Sequence, residues 1–194
     1  MAAQAQSGTE VVNAGTFHRQ LNTLSTENQY VTFQIEEEEY GIDIMLVQEI
    51  TRYNKPTRVY STNPAVKGVI NFRGKVIPIL DMRSTFNLKE QEYDPFTVVI
   101  VIEHKNKTMG MIVDRVSDIM SFSKEDVQEV DQEFANDIKT EHVKGMAKTG
   151  DRIVMLLDPD LIMNSQDFKQ VKDNGEENGQ GKEAEVVQGK GKDH

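Results

Sequence analysis

Few side chains in this sequence have the type and spacing that catalysis requires. The sequence contains four histidines and no cysteine. His18 and His194 lie near the chain ends, His104 falls in a predicted turn and His142 precedes an apolar segment. A catalytic histidine needs a positioned partner, and the spacing suggests none. Motifs of zinc proteases, serine hydrolases and phosphate-binding loops are also missing from the sequence. No catalytic residue is therefore predicted.

Two acidic segments, 36–39 and 158–160, contain oxygen donors that hard cations prefer. Calcium loops place such donors at spaced positions that converge on one point, whereas four consecutive carboxylates point in different directions. A solvated turn is the favoured interpretation of the first segment. In the second, Asp158 as an N-cap followed by Pro159 as first helical residue needs no metal. Without cysteine there are no thiolate ligands or disulfides, and we predict no metal and no cofactor.

Two charged residues, Arg73 and Glu49, have a placement that packing alone does not explain. Arg73 lies in the hairpin-like segment 71–74, and Glu49 lies between the apolar residues Val47 and Ile50. A solvated charge is the default interpretation of each. Arginine is nevertheless enriched among interface hot spots, because its planar fork binds carboxylates through two hydrogen bonds. The residues alone leave both interpretations open.

The charge of the chain narrows its class of partner. Lys and Arg number 22 against 32 Asp and Glu, which gives a net charge of −10. This balance argues against binding to nucleic acid and against adsorption to an anionic membrane surface. The longest apolar runs, 98–102 and 153–157, are far shorter than the roughly 20 residues of a membrane-spanning helix. The N-terminal segment does not resemble a signal peptide. We expect a soluble, cytoplasmic protein.

Composition divides the chain into three parts. Residues 1–29 are predicted to be a flexible extension and 166–194 a disordered polar tail, because neither has enough large apolar side chains to offset its ordering entropy. Residues 30–165 alternate apolar and polar side chains between glycine-bearing turns, a pattern typical of short strands. A short helix is expected after Asp158, through Leu161 and Met163.

The sequence of the predicted domain repeats itself. Segments 66–69 and 76–81 recur 77 positions later, and segments 41–44 and 47–50 recur 69 positions later. The repeat predicts an all-β fold of two similar lobes, about 30–93 and 94–165. Lobes of about 65 residues bury only ~60% of their unfolded surface, so we expect them to pack together. Short strands favour small barrels, which leave few free sheet edges, and the space between two lobes is a natural binding groove.

Three stretches carry a family resemblance: 41–50, 66–83 and 97–119. In order and spacing they resemble the bacterial chemotaxis coupling proteins, the CheW family, and the likeness covers about 30–165. The resemblance implies two five-stranded SH3-like barrels with short helices, and a first strand that can be exchanged between the lobes. Phe72 stands where leucine is usual in the family, an apolar replacement that the fold is expected to tolerate.

The resemblance also implies a function and its residues. Members of this family are non-enzymatic adaptors that connect the cytoplasmic tips of methyl-accepting chemoreceptors to the regulatory domain of the histidine kinase CheA, within membrane-associated arrays. By this likeness Val47, Glu49, Arg73 and Ile119 face the receptor, and Phe134 contacts the kinase. The alternative is a stand-alone regulatory subunit of the same fold that acts on a kinase outside chemotaxis. An acid- or metal-dependent hydrolase is a third class, which the spacing of the acids does not support.

Overall fold

The computed structural model describes residues 28–129 and 142–164. These residues are mostly β-structure, with a 3-10 turn at Ile44–Leu46 and two short helices, α1 (Met82–Thr85) and α2 (Pro159–Asn164). The strands are β1 (Gln29–Ile35), β2 (Glu38–Asp43), β3 (Val47–Arg52), β4 (Val66–Phe72), β5 (Lys75–Asp81), β6 (Val98–His104), β7 (Lys107–Val113), β8 (Arg115–Ser121), β9 (Val127–Glu129), β10 (Val143–Thr149) and β11 (Arg152–Leu157). The predicted all-β class and the helix that follows Asp158 are confirmed.

The strands form two sheets with the same internal order. The six-stranded sheet runs β8-β1-β2-β11-β10-β9 and the five-stranded sheet runs β3-β6-β7-β5-β4. Matching each strand with its repeat equivalent gives the pairs β8/β3, β1/β6, β2/β7, β11/β5 and β10/β4. The parallel pairings β11–β2 and β5–β7 are equivalent as well. The sequence repeat is therefore a structural repeat, to which β9 adds one short strand.

Each sheet combines strands from both halves of the chain. Strands β1 and β2 join β8–β11, while β6 and β7 join β3–β5. The expected boundary between 93 and 94 therefore does not divide the sheets, and two strands of each half are exchanged rather than the first alone. Only Asp114 separates β7 from β8. One linking residue spans at most ~7 Å. If β8 stayed in the sheet of β7 and paired on the far side of β6, the chain would have to cross two strand spacings, nearly 10 Å.

The main hydrophobic core lies between the sheets. This shared core contains Val31 and Ile42 of the six-stranded sheet together with Ile100, Met111 and Leu80 of the five-stranded sheet, all fully or nearly fully buried. A smaller cluster around Ile77, Ile79 and Val99 belongs to the five-stranded sheet. Another, around Phe122, Val154 and Leu156, belongs to the six-stranded sheet. Burial of apolar surface therefore stabilises each sheet chiefly through its contact with the other sheet.

A partly buried ion-pair network fixes α1 against the connection into β8. Arg83 of α1 donates from Nε and Nη2 to the two carboxylate oxygens of Asp114, at 2.8 and 2.6 Å. Its Nη1 also lies 3.4 Å from Glu36 Oε1, in the turn between β1 and β2. Arg83 is only 9% exposed, and its hydrogen bond to Asp114 raises the pKa of the guanidinium. The network ties together segments from both sheets.

The second half has an equivalent contact with the charges reversed. Asp160 of α2 lies 77 positions after Arg83, and Lys105 lies 69 positions after Glu36. Lys105 Nζ is 2.7 Å from Asp160 Oδ2, and its hydrogen bond holds the pKa of that carboxyl below its usual range. Each helix therefore contacts the equivalent hairpin turn, but with opposite polarity.

Candidate functional site

The candidate site begins at the tight turn between β4 and β5. Arg73 and Gly74 occupy its two central positions with φ of 50° and 85°, between the paired residues Phe72 and Lys75. A two-residue turn with both φ values positive is the type I′ hairpin, which favours asparagine and glycine. The side-chain oxygen of Asn71 accepts a hydrogen bond from the Gly74 amide at 2.9 Å. A non-glycine residue in this conformation costs about 1 kcal/mol.

Glu49 is placed by a bulge in strand β3. The pairing of β3 with β6 shifts register between Val47 and Glu49. Strand β8 has the equivalent shift between Val116 and Asp118, where it pairs with β1. A bulge inserts one extra residue and changes the direction in which the following side chains point. The backbone feature that aims Glu49 is therefore part of the repeat.

Arg73 and Glu49 form an ion pair at the surface. The distance from Arg73 Nη2 to Glu49 Oε2 is 3.3 Å, and the side chains remain 59% and 39% exposed. Arg73 directly follows β4 and Glu49 lies on β3. These strands stand at opposite ends of the five-stranded order, so the pair connects the two ends of that sheet. An exposed pair of this kind contributes ~1 kcal/mol or less to stability. Both side chains keep donors and acceptors accessible to a partner.

The two apolar residues of the predicted site flank the shared core from different sheets. Val47 on β3 and Ile119 on β8 are half-buried and pack against that core. Val47 pairs with Ile102 of β6, and Ile119 pairs with Val31 of β1. Each of the two strands has a single neighbour in its sheet. The structure thus places Val47 on the strand of Glu49, and Ile119 on the equivalent edge strand of the other sheet.

Phe72 has a contact that the sequence did not predict. The guanidinium carbon of Arg73 lies 4.8 Å from the centroid of the Phe72 ring. The ring is half-buried and packs against the Ile77, Ile79 and Val99 cluster. The sequence identifies Phe72 only as an apolar replacement for leucine. Hydrophobicity alone does not predict that a guanidinium lies over its ring. Phe134, the predicted kinase contact, lies outside the described residues.

Several charged groups outside this pair form structural contacts. Within 28–129 and 142–164, no three His, Asp or Glu side chains are grouped closely enough to bind a metal ion. Glu36 pairs with Arg83, and Glu39 accepts two hydrogen bonds from Arg152. His104 lies beside Asp160, with Nε2 and Oδ1 3.2 Å apart.

The same described ranges contain no helix long and apolar enough to cross a bilayer.

A cleft of about 1230 Å³ lies between segments 53–59 and 90–95. Sequence reasoning did not identify it. The rings of Tyr53 and Tyr93 are 4.2 Å apart on its wall, and the Tyr93 hydroxyl donates to Asp81 Oδ2 at 2.7 Å. Burial, followed by the hydrogen bond to Asp81, raises the pKa of Tyr93. Asp81 also accepts from the Arg83 and Ser84 amides as the N-cap of α1, so this carboxylate has a structural role.

Comparison with known proteins identifies the family. Residues 29–167 match the model of the CheW-like domain. The chain is 38% identical over 140 residues to the chemotaxis protein CheW of Klebsiella aerogenes, covering 72% of this chain and 84% of that protein. It is 30% identical over 162 residues to the chemotaxis protein CheW of Treponema pallidum, covering 79% and 94%. The crystal structure of the scaffolding protein TtCheW from Thermoanaerobacter tengcongensis superposes with a TM-score of 0.64 and 26% identity, covering 72% of this chain and 94% of that one. The chain therefore belongs to the CheW-like family.

Proposed function

We propose that this protein is a non-enzymatic chemotaxis adaptor that couples methyl-accepting chemoreceptors to the regulatory domain of the histidine kinase CheA. Family membership supports the chemotaxis role, since the relatives from Klebsiella aerogenes and Treponema pallidum are chemotaxis proteins. The observation that carries the proposal is the exposed ion pair between Glu49 of β3 and Arg73, which lies in a turn whose backbone disfavours arginine. A strained position that contributes little to stability is better explained by binding than by folding.

The receptor-facing surface consists of Val47, Glu49, Arg73 and Ile119. It combines two half-buried apolar side chains with one accessible ion pair. Apolar contacts provide affinity when they are removed from water, while a charge pair at the same surface selects partners with complementary groups. We infer that the cytoplasmic tip of a receptor binds at this surface, with an apolar contact against Val47 and Ile119 and polar groups opposite Arg73 and Glu49.

Desolvation makes this surface selective. When a partner covers Arg73 and Glu49, both charges lose part of their hydration, and a partner without matching donors and acceptors leaves them unsatisfied. The guanidinium has five N–H donors, and one of them is directed at Glu49. The pair can therefore keep its internal contact while further donors bind a carboxylate or carbonyl oxygen of the receptor.

The kinase contact is proposed separately, at Phe134. Its sequence neighbourhood is acidic and polar, so a large aromatic there gains ~1.5–3 kcal/mol if a partner buries it. We expect Phe134→Ser to weaken assembly with the kinase regulatory domain more than binding to the receptor. Measuring both affinities on the same variant, with its melting temperature, tests this. A broad loss of stability would identify Phe134 as a core residue and refute the kinase assignment.

The experiment that tests the proposed function uses purified partners. The full chain is titrated with a receptor-tip fragment and, separately, with the kinase regulatory domain; kinase activity is then measured with receptor, with and without the chain. We expect binding to both and receptor-dependent control of the kinase only when the chain is present. Binding to a kinase domain without binding to any receptor tip would support the alternative, a regulatory subunit outside chemotaxis. Binding to neither would refute both.

A further inference from the structure

We infer that Phe72 is the positioning residue that orients Arg73 on the receptor-facing surface, an inference that rests on the function proposed for that surface. The guanidinium carbon of Arg73 is 4.8 Å from the centroid of the Phe72 ring. The two residues are neighbours at the end of β4, where the type I′ turn reverses the chain. Arg73 thus has a contact within its own hairpin as well as the contact to Glu49.

The two contacts use different parts of the guanidinium. A cation–π interaction places the positive charge of the group over the ring, where the negative face of the aromatic quadrupole attracts it. The hydrogen bond to Glu49 uses an N–H donor in the guanidinium plane, with Nη2 3.3 Å from Oε2. A guanidinium held both over the ring and by one N–H donor has less freedom to reorient than one held by the hydrogen bond alone. The donors that Glu49 does not use then remain available to a partner.

The Phe72 ring is itself fixed by packing against the interior of the protein. Phe72 is half-buried and packs against the cluster of Ile77, Ile79 and Val99, so its position is set by the interior of the five-stranded sheet rather than by Arg73. A rigid support of this kind reduces the rotamer freedom that a long, 59% exposed arginine side chain loses on binding. Phe72 therefore contributes to affinity without touching the partner itself.

Leucine at this position separates the two properties of the ring. Phe72→Leu keeps an apolar side chain on the cluster but has no aromatic face for the guanidinium. We expect it to lower the affinity for a receptor-tip fragment roughly two- to fivefold, the range expected for one exposed cation–π contact. Phe96 provides a matched control, since Arg115 lies 5.3 Å from its ring and neither residue belongs to the receptor-facing surface. Phe96→Leu is expected to leave that affinity unchanged.

A double-mutant cycle distinguishes positioning from general packing. Phe72→Leu is measured alone and in an Arg73→Ala background, with isothermal titration against the receptor-tip fragment and with melting curves. If Phe72 acts through Arg73, the leucine change has no further effect on affinity once the guanidinium is gone. An equal loss in both backgrounds would overturn the inference and make Phe72 a packing residue. Phe72→Met is the second variant, and unfolding of both variants would also overturn it.

A measurement without receptor keeps this inference separate from the proposed function. Protons on the Arg73 side chain that lie over an aromatic face should show an upfield ring-current shift in NMR spectra of the free protein. We expect that shift to disappear in Phe72→Leu and to persist in Phe96→Leu. If the wild-type chain bound no receptor tip, the proposed function would fail while this shift still reported on Arg73. A shift unchanged by Phe72→Leu would refute the positioning role.

Discussion

Reversing the charges of Arg73 and Glu49 one at a time separates a binding role from a structural one. The side chains are 59% and 39% exposed and the charged atoms are 3.3 Å apart. At that distance and in the dielectric of water, the attraction between two unit charges is about 1 kcal/mol. Solvent screening and side-chain entropy reduce the net contribution of exposed pairs to about 0–1 kcal/mol. Arg73→Glu and Glu49→Lys should therefore leave the free energy of unfolding within about 1 kcal/mol of wild type.

The expected effect on receptor binding is larger. Loss of an anchoring arginine at an interface costs ~2 kcal/mol or more, which is more than tenfold in affinity. We expect Arg73→Glu to remain folded and to lose receptor-dependent control of the kinase, with Glu49→Lys acting in the same direction. The double variant restores an attractive pair with its direction reversed. It should partly recover activity because it removes the like-charge repulsion, although partner contacts to the original charges stay lost.

The assay compares melting temperature with receptor-coupled kinase activity for each variant. Lys148→Glu is the control for the change in net charge, since Lys148 is exposed on β10 of the other sheet. It should show wild-type coupling. Wild-type coupling by a folded Arg73→Glu protein would remove Arg73 from the receptor-facing surface. A large fall in the melting temperature of that variant would show that the arginine is structural and would refute its assignment to binding.

Three further predictions concern the fold. Arg83→Met leaves a half-buried carboxylate without its cation, and should lower the free energy of unfolding by ~2–4 kcal/mol in urea titrations. In Gly68→Ala the new Cβ would lie 2.2 Å from the Thr57 carbonyl oxygen, at a φ of 145°. We therefore expect the free energy of unfolding to fall by ~3 kcal/mol or more. The control is Gly74→Ala, which has open space around it and should lower the free energy of unfolding by about 1 kcal/mol or less. Burial, followed by the nearby Glu38 and Glu36, raises the pKa of Tyr40 to about 12. Above pH 10 the unfolded chain loses this proton while the folded chain keeps it, so the free energy of unfolding should fall between pH 10 and 12. Urea titrations at pH 9 and pH 11 should show a smaller fall in Tyr40→Phe than in the wild type.

Sequence reasoning predicted the repeat but not how its halves combine. The matches at offsets of 69 and 77 identify equivalent segments, and the structure arranges those segments in the same order in both sheets. Similarity between two strands does not say to which sheet each belongs, because either sheet offers an equivalent position. In the second half, the single residue Asp114 between β7 and β8 is too short a link to return β8 to the sheet of β7. In the first half, β3 also leaves the sheet of β2, although the three residues Ile44–Leu46 link these strands. The short link therefore explains the crossing in one half only, and its length is known only once the strand bounds are.

The sequence predicted that Arg73 and Glu49 would be exposed, but it did not predict which side chains they contact. A polar hairpin tip indicated that Arg73 would be exposed, and a segment of mixed polarity indicated the same for Glu49, as the structure shows. Their pairing could not be derived from spacing, since it depends on how the hairpin of β4 and β5 folds back toward β3. The role of Phe72 was missed because an aromatic at a strand end is usually assigned to packing. Arginine directly after phenylalanine in a tight turn is the signal that could have suggested it.

The repeat also indicates that each chain has one such surface within the described residues. Where the halves agree, as in the equivalent bulges of β3 and β8, the residues serve the fold. At the candidate site they differ in charge. Position 73 is arginine in the first half and its equivalent, Gly150, has no side chain, so the second hairpin cannot form the same ion pair. Asp118, the equivalent of Glu49, instead lies in the electrostatic neighbourhood of Arg152, which follows the matching turn, and Arg152 is paired with Glu39. The asymmetry between two similar lobes limits this arrangement to one side of the protein, and we expect receptor-tip fragments to bind there with one site per chain.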